Sequence, residues 1–324
     1  MLNLKLHPPP QERGYVGRYA PSPSGNLHLG NLFAAVVAYA QARRHSGHIF
    51  LRMEDTDHPR CKKEYAENII RDLYTLGFRF DAGPGFGTSL PSGDVEIGPY
   101  TQSERLPIYH AALEVLLKKD LLYRCCCSRK GIQQAASAPH AGEEGPIYTG
   151  TCRGVAVDED APYAVRLKVP VKKVCIEDRW AGVCCQELQK DVGDFVLLRK
   201  DDVIAYHLAV VVDDALQGVT EVVRGRDLFT SSPRQAVLFE MFDFPLPSFA
   251  HAPLWVDSDG QRLAKRRGDR TLRALLAEES PMQILGRVGD ALGLCEVGEP
   301  LSLEHLMERL LDAGDSVLRA ETVR

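Results

Sequence analysis

Apolar and polar positions along this chain change period several times, and each change marks an element. A short apolar run from Tyr15 to Tyr19 reads as a strand and enters the turn Pro21-Ser22-Pro23-Ser24-Gly25. Asn31 to Ser46 reads as an alanine-rich helix, closed by Arg43, Arg44 and Gly47. His48 to Met53 is the next predicted strand, with Glu54 at its carboxyl end, and Tyr65 to Leu76 is the next helix, stopped by Gly77. Strand, helix, strand and helix in this order predict an α/β fold on a parallel, doubly wound sheet.

Further along the pattern loosens. Residues 81–100 are rich in Gly, Pro and Ser and predict a long loop, and Ser103 to Lys119 predict a helix. A cysteine cluster and a Pro/Ala/Gly-rich stretch to Pro146 follow. Ala164 to Val174 alternates in the manner of a strand, and Asp194 to Leu198 and Val203 to Val212 are apolar and β-branched enough to predict two more. From Leu272 the pattern is helical to the end.

Composition narrows the class. A chain of 324 residues, 44% hydrophobic and 26% charged, suits a soluble protein of two domains, or one domain with an insertion. No window approaches the roughly 18 apolar residues needed to cross a membrane. The opening MLNLKLHPPPQERG has no apolar leader segment, so no membrane association and a cytoplasmic location are expected. Nine cysteines, three of them consecutive at Cys125, Cys126 and Cys127, do not suit a disulfide framework, and reduced thiols or a metal site are expected instead. A net charge of -5 argues against RNA binding through overall positive charge, leaving local patches such as Arg43-Arg44, Lys62-Lys63, Lys172-Lys173 and Lys265-Arg266-Arg267.

Three segments carry chemistry. In the first, Arg18-Tyr-Ala-Pro-Ser-Pro-Ser-Gly-Asn-Leu-His28-Leu-Gly30-Asn31, a strand enters a rigid turn and a His-x-Gly step opens a helix. Phosphate is favoured at such a helix amino terminus beside strand carboxyl ends. Gly30 lets a flat ring approach the backbone, and His28 can donate to charge developing on a phosphate. The second, Gly260-Gln-Arg-Leu-Ala-Lys265-Arg-Arg-Gly-Asp269, is a glycine-flanked basic loop suited to a pentavalent phosphorus and a departing pyrophosphate. In the third, Cys125-x-Cys127 is followed by Tyr148-x-x-x-Cys152. Two thiolates two residues apart in an extended segment point the same way, and a second pair could complete a tetrahedron. Cys184 and Cys185 show no partner pattern and are expected to be structural.

The first two segments together resemble the paired signatures of class I aminoacyl-tRNA synthetases. Arg18 to Ser22, Leu51-Arg-Met-Glu-Asp-Thr-Asp57, Tyr206-His-Leu-Ala-Val-Val-Val-Asp-Asp214 and Gly218-Val-Thr-Glu-Val-Val-Arg-Gly225 are similar to the glutamyl branch. Asn31 stands where the family signature has histidine, Ala264 where it has serine, and Arg262 where it has the first lysine. The resemblance implies that Arg18, Tyr19, Ala20, Pro21 and Ser22 line a glutamate site with Glu54, Tyr206 and Arg224. It implies that His28, Gly30, Asn31 and Lys265 hold ATP with Mg2+, His28 and Lys265 being catalytic. Chemistry agrees, because glutamate presents two carboxylates to arginine forks and one ammonium to an acidic partner.

The cysteine segment looks like that of the stand-alone glutamyl-Q tRNA(Asp) synthetases, in which Tyr148 would be the fourth ligand of Zn2+ beside Cys125, Cys127 and Cys152. The short run after Lys265 leaves no room for an anticodon-gripping domain, which also fits that family. The expected activity is therefore transfer of glutamate to the queuosine base of tRNA(Asp) by a monomer. The alternatives are a short glutamyl-tRNA synthetase charging a 3′ end and an RNA-binding paralogue with impaired catalysis. The expected organisation is a Rossmann-like catalytic domain over 1–105 resuming at 206–255. A zinc-bearing α/β insert spans 106–205, and a signature loop with a helical stem-contact region spans 256–324.

Overall fold

The computed structural model describes residues 6–9, 14–88, 98–128, 147–156, 161–257, 259–260 and 270–324. Strand β1, Val16–Tyr19, pairs in parallel with β2, His48–Leu51, which pairs in parallel with β3, Ala82–Gly83. Helix α1, Leu29–Arg44, is the crossover between the first two strands, and α2, Lys63–Thr75, leads from β2 to β3. A hairpin turns β3 into β4, Gly87–Thr88, so part of the predicted 81–100 loop is paired strand; residues 89–97 lie outside the described set.

The second half of the sheet comes from far along the chain. Strand β10, Glu221–Gly225, pairs in parallel with β11, Ser248–Ala252. Strand β10 lies against β1: Thr220 N–H donates to Val16 O (2.9 Å), and Val16 N–H to Thr220 Oγ1 (2.9 Å). The strand order β3-β2-β1-β10-β11 therefore reverses direction between β1 and β10, where open α/β sheets bind ligands at the strands' carboxyl ends.

Helix α1 is buried along Leu32–Ala42 except at half-buried Ala34, because it lies between the sheet and helices near the carboxyl end. Alanine at positions 34, 35, 38, 40 and 42 keeps its diameter small enough for this. After its last turn Ser46 takes a left-handed φ of 50°, and a Cβ on Gly47 would meet Tyr15 O at 2.3 Å, so only glycine lets β2 begin beside β1.

Between the two halves lie α3, Leu106–Lys118, and an antiparallel sheet of β5, Leu122–Cys125, β6, Ala164–Leu167, and β9, Val196–Leu198. The predicted strand over Ala164 to Val174 is two strands broken near Pro170, the second being β7, Lys173–Asp178. Strand β7 turns antiparallel into β8, Gly182–Glu187, and joins β11 through Asp178 and Phe249. Cys175 and Cys185 face each other in this hairpin and form a disulfide, which corrects the expectation of reduced thiols there.

The predicted strand Val203 to Val212 is also corrected. Tyr206–Leu216 is a helix, α4, with Leu208–Ala215 buried without interruption. An unbroken apolar run cannot separate a buried helix from a buried strand by periodicity, and its three valines favoured the wrong choice. The carboxyl end likewise departs from an all-helical reading. After α5, Ser232–Met241, α6, Leu272–Leu276, α7, Pro281–Ala291, and α8, Leu303–Ala313, the chain closes with β13, Thr322–Val323, in parallel with β12, Leu254–Trp255. Among the described residues no helix is long and apolar enough to cross a membrane.

Asp213 of α4 locks the segment before α3 to the second half of the sheet. Its fully buried carboxylate accepts from Arg105 Nε (2.6 Å), Gln102 Nε2 (2.8 Å) and the Tyr109 hydroxyl (2.9 and 3.0 Å). Removing it takes the shared buried carboxylate away from Arg105, Gln102 and Tyr109 at once. Asp213→Ala is expected to lower the unfolding free energy by roughly 3–5 kcal/mol, whereas exposed Lys63→Ala changes it by less than ~0.5 kcal/mol. Urea unfolding of the two variants checks this, and equal midpoints would refute it.

Candidate active site

The carboxyl ends of β1 and β10 bring four sequence-predicted residues together. Arg18, on β1, donates from Nε to Asp214 Oδ1 (3.1 Å) and from Nη1 to Val223 O (3.1 Å). Asp214 is shared: Arg52 Nη1 lies 2.8 Å from the same oxygen. Arg52, wholly buried, also reaches Glu54 Oε1 (3.2 Å) through Nη2 and Gln217 Oε1 (2.9 Å) through Nη1. The second carboxylate face thus comes from α4, where Asp213 and Asp214 are successive. Burial pushes the Glu54 carboxyl above its ordinary range, against the pull of Arg52 and Arg18. The Asp214 carboxyl is also buried, but Arg18 and Arg52 outweigh that and hold it below the ordinary range.

Arg224, on β10, has a protein partner for every N–H of its guanidinium. Nε donates to His251 Nε2 (2.9 Å); Nη1 donates to Gln235 Oε1 (2.8 Å) and reaches the Tyr206 hydroxyl (3.5 Å). Nη2 donates to Ser232 Oγ (3.1 Å) and Leu228 O (3.3 Å). The weakest of these, to Tyr206, is the one an incoming acceptor displaces most easily. Arg224 therefore presents one edge and a charge, not the open bidentate fork expected from the sequence. Tyr206 itself sits at the first position of α4 rather than in a strand.

The remaining residues of the first segment divide in two. Tyr19 is core: its ring packs near Phe80 (6.4 Å) and its hydroxyl donates to Asn31 O (3.2 Å). Pro21 is buried and its carbonyl accepts from Glu54 N–H (3.1 Å), which carries Ala20 and exposed Ser22 past the strand end beside Glu54.

His28 is the amino-terminal cap of α1. Its Nδ1 accepts from Asn31 N–H (3.3 Å) while Asn31 Oδ1 accepts from His28 N–H (3.1 Å), a reciprocal capping box. Because Nδ1 is an acceptor, the neutral ring carries its proton on Nε2, the arrangement a phosphate-directed donor needs. Asn31, the departure from the family signature, is accounted for by this box. A Cβ on Gly30 would lie 3.1 Å from His28 Cε1, so the glycine gives the imidazole its place. Lys265, with Arg262 and Ala264, lies outside the described residues.

The cysteine segment also converges. The Sγ atoms of Cys125, Cys127 and Cys152 lie within 4.8 Å of one another. The Tyr148 hydroxyl is 3.5 Å from Cys125 Sγ and 3.4 Å from Cys127 Sγ. A tetrahedral zinc–thiolate centre needs sulfur atoms about 3.8 Å apart, so three thiolates and a phenolate fit such a group. Burial raises the Cys152 thiol, but hydrogen bonds from Tyr148 and neighbours bring it down to about 7, toward the thiolate a metal requires. Cys126 is exposed and outside the cluster, and its carbonyl accepts from Lys200.

Sequence reasoning missed Arg52, Asp213 and Asp214 as partners, although all three lie in the quoted segments. It also missed Asp178 and His251. His251 Nδ1 lies 2.5 Å from Asp178 Oδ2, and burial holds its pKa below the ordinary histidine value although Asp178 opposes this. No local motif announces either residue, and only the fold brings them behind Arg224.

Known proteins agree with this geometry. Residues 15–288 match the family described as tRNA synthetases class I (E and Q), catalytic domain. A glutamyl-Q tRNA(Asp) synthetase of Deinococcus radiodurans is 46% identical over 301 residues, covering 90% of this chain and 95% of that protein. One of Symbiobacterium thermophilum is 43% identical over 301 residues, covering 90% of each. A glutamate–tRNA ligase of Sulfurihydrogenibium is 40% identical, covering 80% of this chain but 54% of that protein. Among solved structures, a glutamate tRNA ligase of Elizabethkingia meningosepticum in complex with its amino acid superposes with TM-score 0.72 at 25% identity; the match covers 91% of this chain and 64% of that one. With its parallel sheet, its capped His-x-Gly helix and these relatives over most of its length, the chain belongs to the class I aminoacyl-tRNA synthetases of the glutamyl and glutaminyl branch, within the glutamyl-Q tRNA(Asp) synthetase family.

Proposed function

We propose that this chain activates L-glutamate with ATP and transfers the glutamyl group to the queuosine base in the anticodon loop of tRNA(Asp), acting as a monomer. The observation that carries this reading is the match to relatives of that name over 90–95% of their length. The charge layout supports it. Arg18, Arg52 and Arg105 are balanced by Glu54, Asp213 and Asp214, while Arg224 forms no ion pair among the described residues. Arg224 with Tyr206 thus offers an unquenched cation to one glutamate carboxylate, and Arg18 offers its Nη2 to the other. Glu54, beside the backbone of Ala20 and Ser22, takes the ammonium.

In the first step an α-carboxylate oxygen of glutamate attacks the α-phosphorus of ATP and pyrophosphate leaves. His28 donates from Nε2 to the phosphate oxygens at the amino terminus of α1, beside Gly30 and Asn31, and Lys265 neutralises the departing pyrophosphate. Mg2+, when bound, shields the phosphate charges. In the second step a hydroxyl of the queuosine cyclopentenediol attacks the mixed anhydride; an ester forms, AMP leaves and the hydroxyl proton is released. Positioning and charge stabilisation supply the acceleration, and no side-chain nucleophile is required. Cys125, Cys127, Cys152 and Tyr148 would hold Zn2+ as a structural centre of the 106–205 insert, and helices beyond 256 would contact the RNA stem.

The deciding experiment supplies labelled glutamate, ATP and tRNA(Asp) with or without queuosine. Label is expected on the queuosine-containing tRNA alone, in its anticodon fragment after nuclease digestion. Label on both tRNAs, or on the 3′ adenosine, would show ordinary charging instead.

Two further outcomes follow from the site. Glu54→Gln should raise KM for glutamate about 10- to 100-fold, as expected for losing a charged hydrogen bond, with KM for ATP unchanged. Only the ionised carboxylate binds an ammonium, and burial raises the Glu54 pKa. Wild-type KM for glutamate should therefore rise as pH falls through that raised pKa, while the Gln variant stays flat; pyrophosphate exchange across the acid range measures both. For the thiolates, elemental analysis of purified protein should find about one zinc per chain. Cys152→Ser should lower both metal content and thermal midpoint, and wild type without zinc would refute the centre.

A further inference from the structure

Asp178 and His251 have no place in the glutamate or ATP assignments, yet they form a buried chain ending on Arg224. Asp178 closes β7 and pairs with Phe249 of β11. Its Oδ1 accepts backbone N–H groups of Trp180 (3.0 Å), Ala181 (2.8 Å) and His251 (3.1 Å), which leaves Oδ2 for His251 Nδ1 at 2.5 Å. An ionised carboxylate only accepts, so Nδ1 carries the proton and Nε2 keeps its lone pair. That lone pair receives Arg224 Nε–H at 2.9 Å. The imidazole is fully buried and has Phe249 stacked at 6.3 Å and Phe229 edge-on at 5.4 Å, which fixes its plane.

We propose that Asp178 and His251 are positioning residues that aim the Arg224 guanidinium at substrate while keeping the aspartate charge one imidazole away from it. The proposal rests on the reading of Arg224 as a carboxylate-binding residue. A carboxylate in direct contact with Arg224 would orient it equally well but would neutralise it. The neutral ring supplies direction without taking the charge, leaving the cation for an incoming anion. The tautomer is the vulnerable feature. If Asp178→Asn keeps its oxygen on the three backbone donors, its amide NH2 faces His251 Nδ1. The ring proton then moves to Nε2 and points at Arg224 Nε–H, donor against donor.

The test measures glutamate-dependent ATP–pyrophosphate exchange, with and without tRNA, for wild type, Asp178→Asn, His251→Leu and His251→Gln. Asp178→Asn and His251→Leu are expected to raise KM for glutamate about 10- to 100-fold, the effect of misaligning a supporting hydrogen bond, with KM for ATP within about twofold of wild type. His251→Gln, whose side-chain oxygen reaches the Nε2 position, should recover most of the loss. Unchanged KM for glutamate in folded Asp178→Asn, or a parallel fall in all constants with Gln no better than Leu, would overturn the proposal. Should Asp178→Asn fail to fold, a proton–nitrogen spectrum of ring-labelled wild type, with His251 identified by its loss in His251→Gln, must still show a neutral Nδ1–H ring. An Nε2–H or doubly protonated ring would overturn it equally. Absence of exchange in wild type would instead refute the glutamate reading, leaving the ring spectrum as an independent measure of the relay.

Discussion

One carboxylate oxygen, Asp214 Oδ1, holds Arg18 at 3.1 Å and Arg52 at 2.8 Å, and the architecture around the site depends on that shared contact. Arg18 comes from β1, Arg52 from the end of β2, and Asp214 from a helix more than 160 residues further along. Burying a cation without a carboxylate or hydrogen-bond partners is costly, so the places Arg18 and Arg52 occupy depend on docking of the second half of the sheet. The adjacent Asp213 imposes the same condition on Arg105. Successive aspartates on one helix thus tie the packing of the two half-sheets to the geometry of the site. A strand would have turned the two carboxylates to opposite faces, whereas a helix separates them by about 100° and lets both face the arginines.

The parallel sheet was legible because its first half obeys simple rules. Turn residues follow β1, alanine fills α1, and Gly47 and Gly77 mark the stops. Arg18, Glu54, Tyr206 and Arg224 were singled out for a different reason, since they stand in segments similar to a known family, and the fold brings them to one place. What escaped depends on the third dimension. Helix α4 was misread because burial on all sides erased its period, and its N-terminal Tyr206 inherited the wrong element. Strands β7 and β8 bring Cys175 against Cys185 through register, which spacing alone does not reveal. Asp178 and His251 are 73 positions apart and meet because β7 lies beside β11.

Residues between the two halves of the sheet contribute Tyr109, Leu116, Leu167 and Leu197 to one of the large cores, but one part of this region packs apart from it. Cys125, Cys127, Tyr148 and Cys152 form a satellite cluster separate from both larger cores. So few apolar side chains bury little surface, and the proposed metal cross-link among them would add what this packing lacks. Burial and hydrogen bonding with the three thiols push the Tyr148 phenol well above its ordinary range, so a phenolate there needs a cation beside it. Arg166 lies with its guanidinium 3.9 Å from the Tyr148 ring centroid, and Cys152 N–H donates to the Tyr148 oxygen at 2.9 Å. Both contacts oppose that penalty, and they are what would support Tyr148 as the proposed fourth donor once a metal is bound.

The two arginines of the site are restrained in opposite ways, and the difference bears on what each can recognise. Arg18 is anchored by a carboxylate, so its charge is largely balanced and its orientation is set through Nε and Nη1. Arg224 is anchored by a neutral imidazole, an amide, a hydroxyl and a carbonyl, so its geometry is fixed while its charge is not balanced locally. Burial penalises such a cation and pushes its pKa down, though arginine remains charged. A neutral amide in the ligand would leave that penalty standing, whereas a carboxylate relieves it. On the proposed reading of Arg224 as a carboxylate-binding residue, discrimination for glutamate over glutamine would need no steric gate, because the uncompensated charge favours the anion by electrostatics.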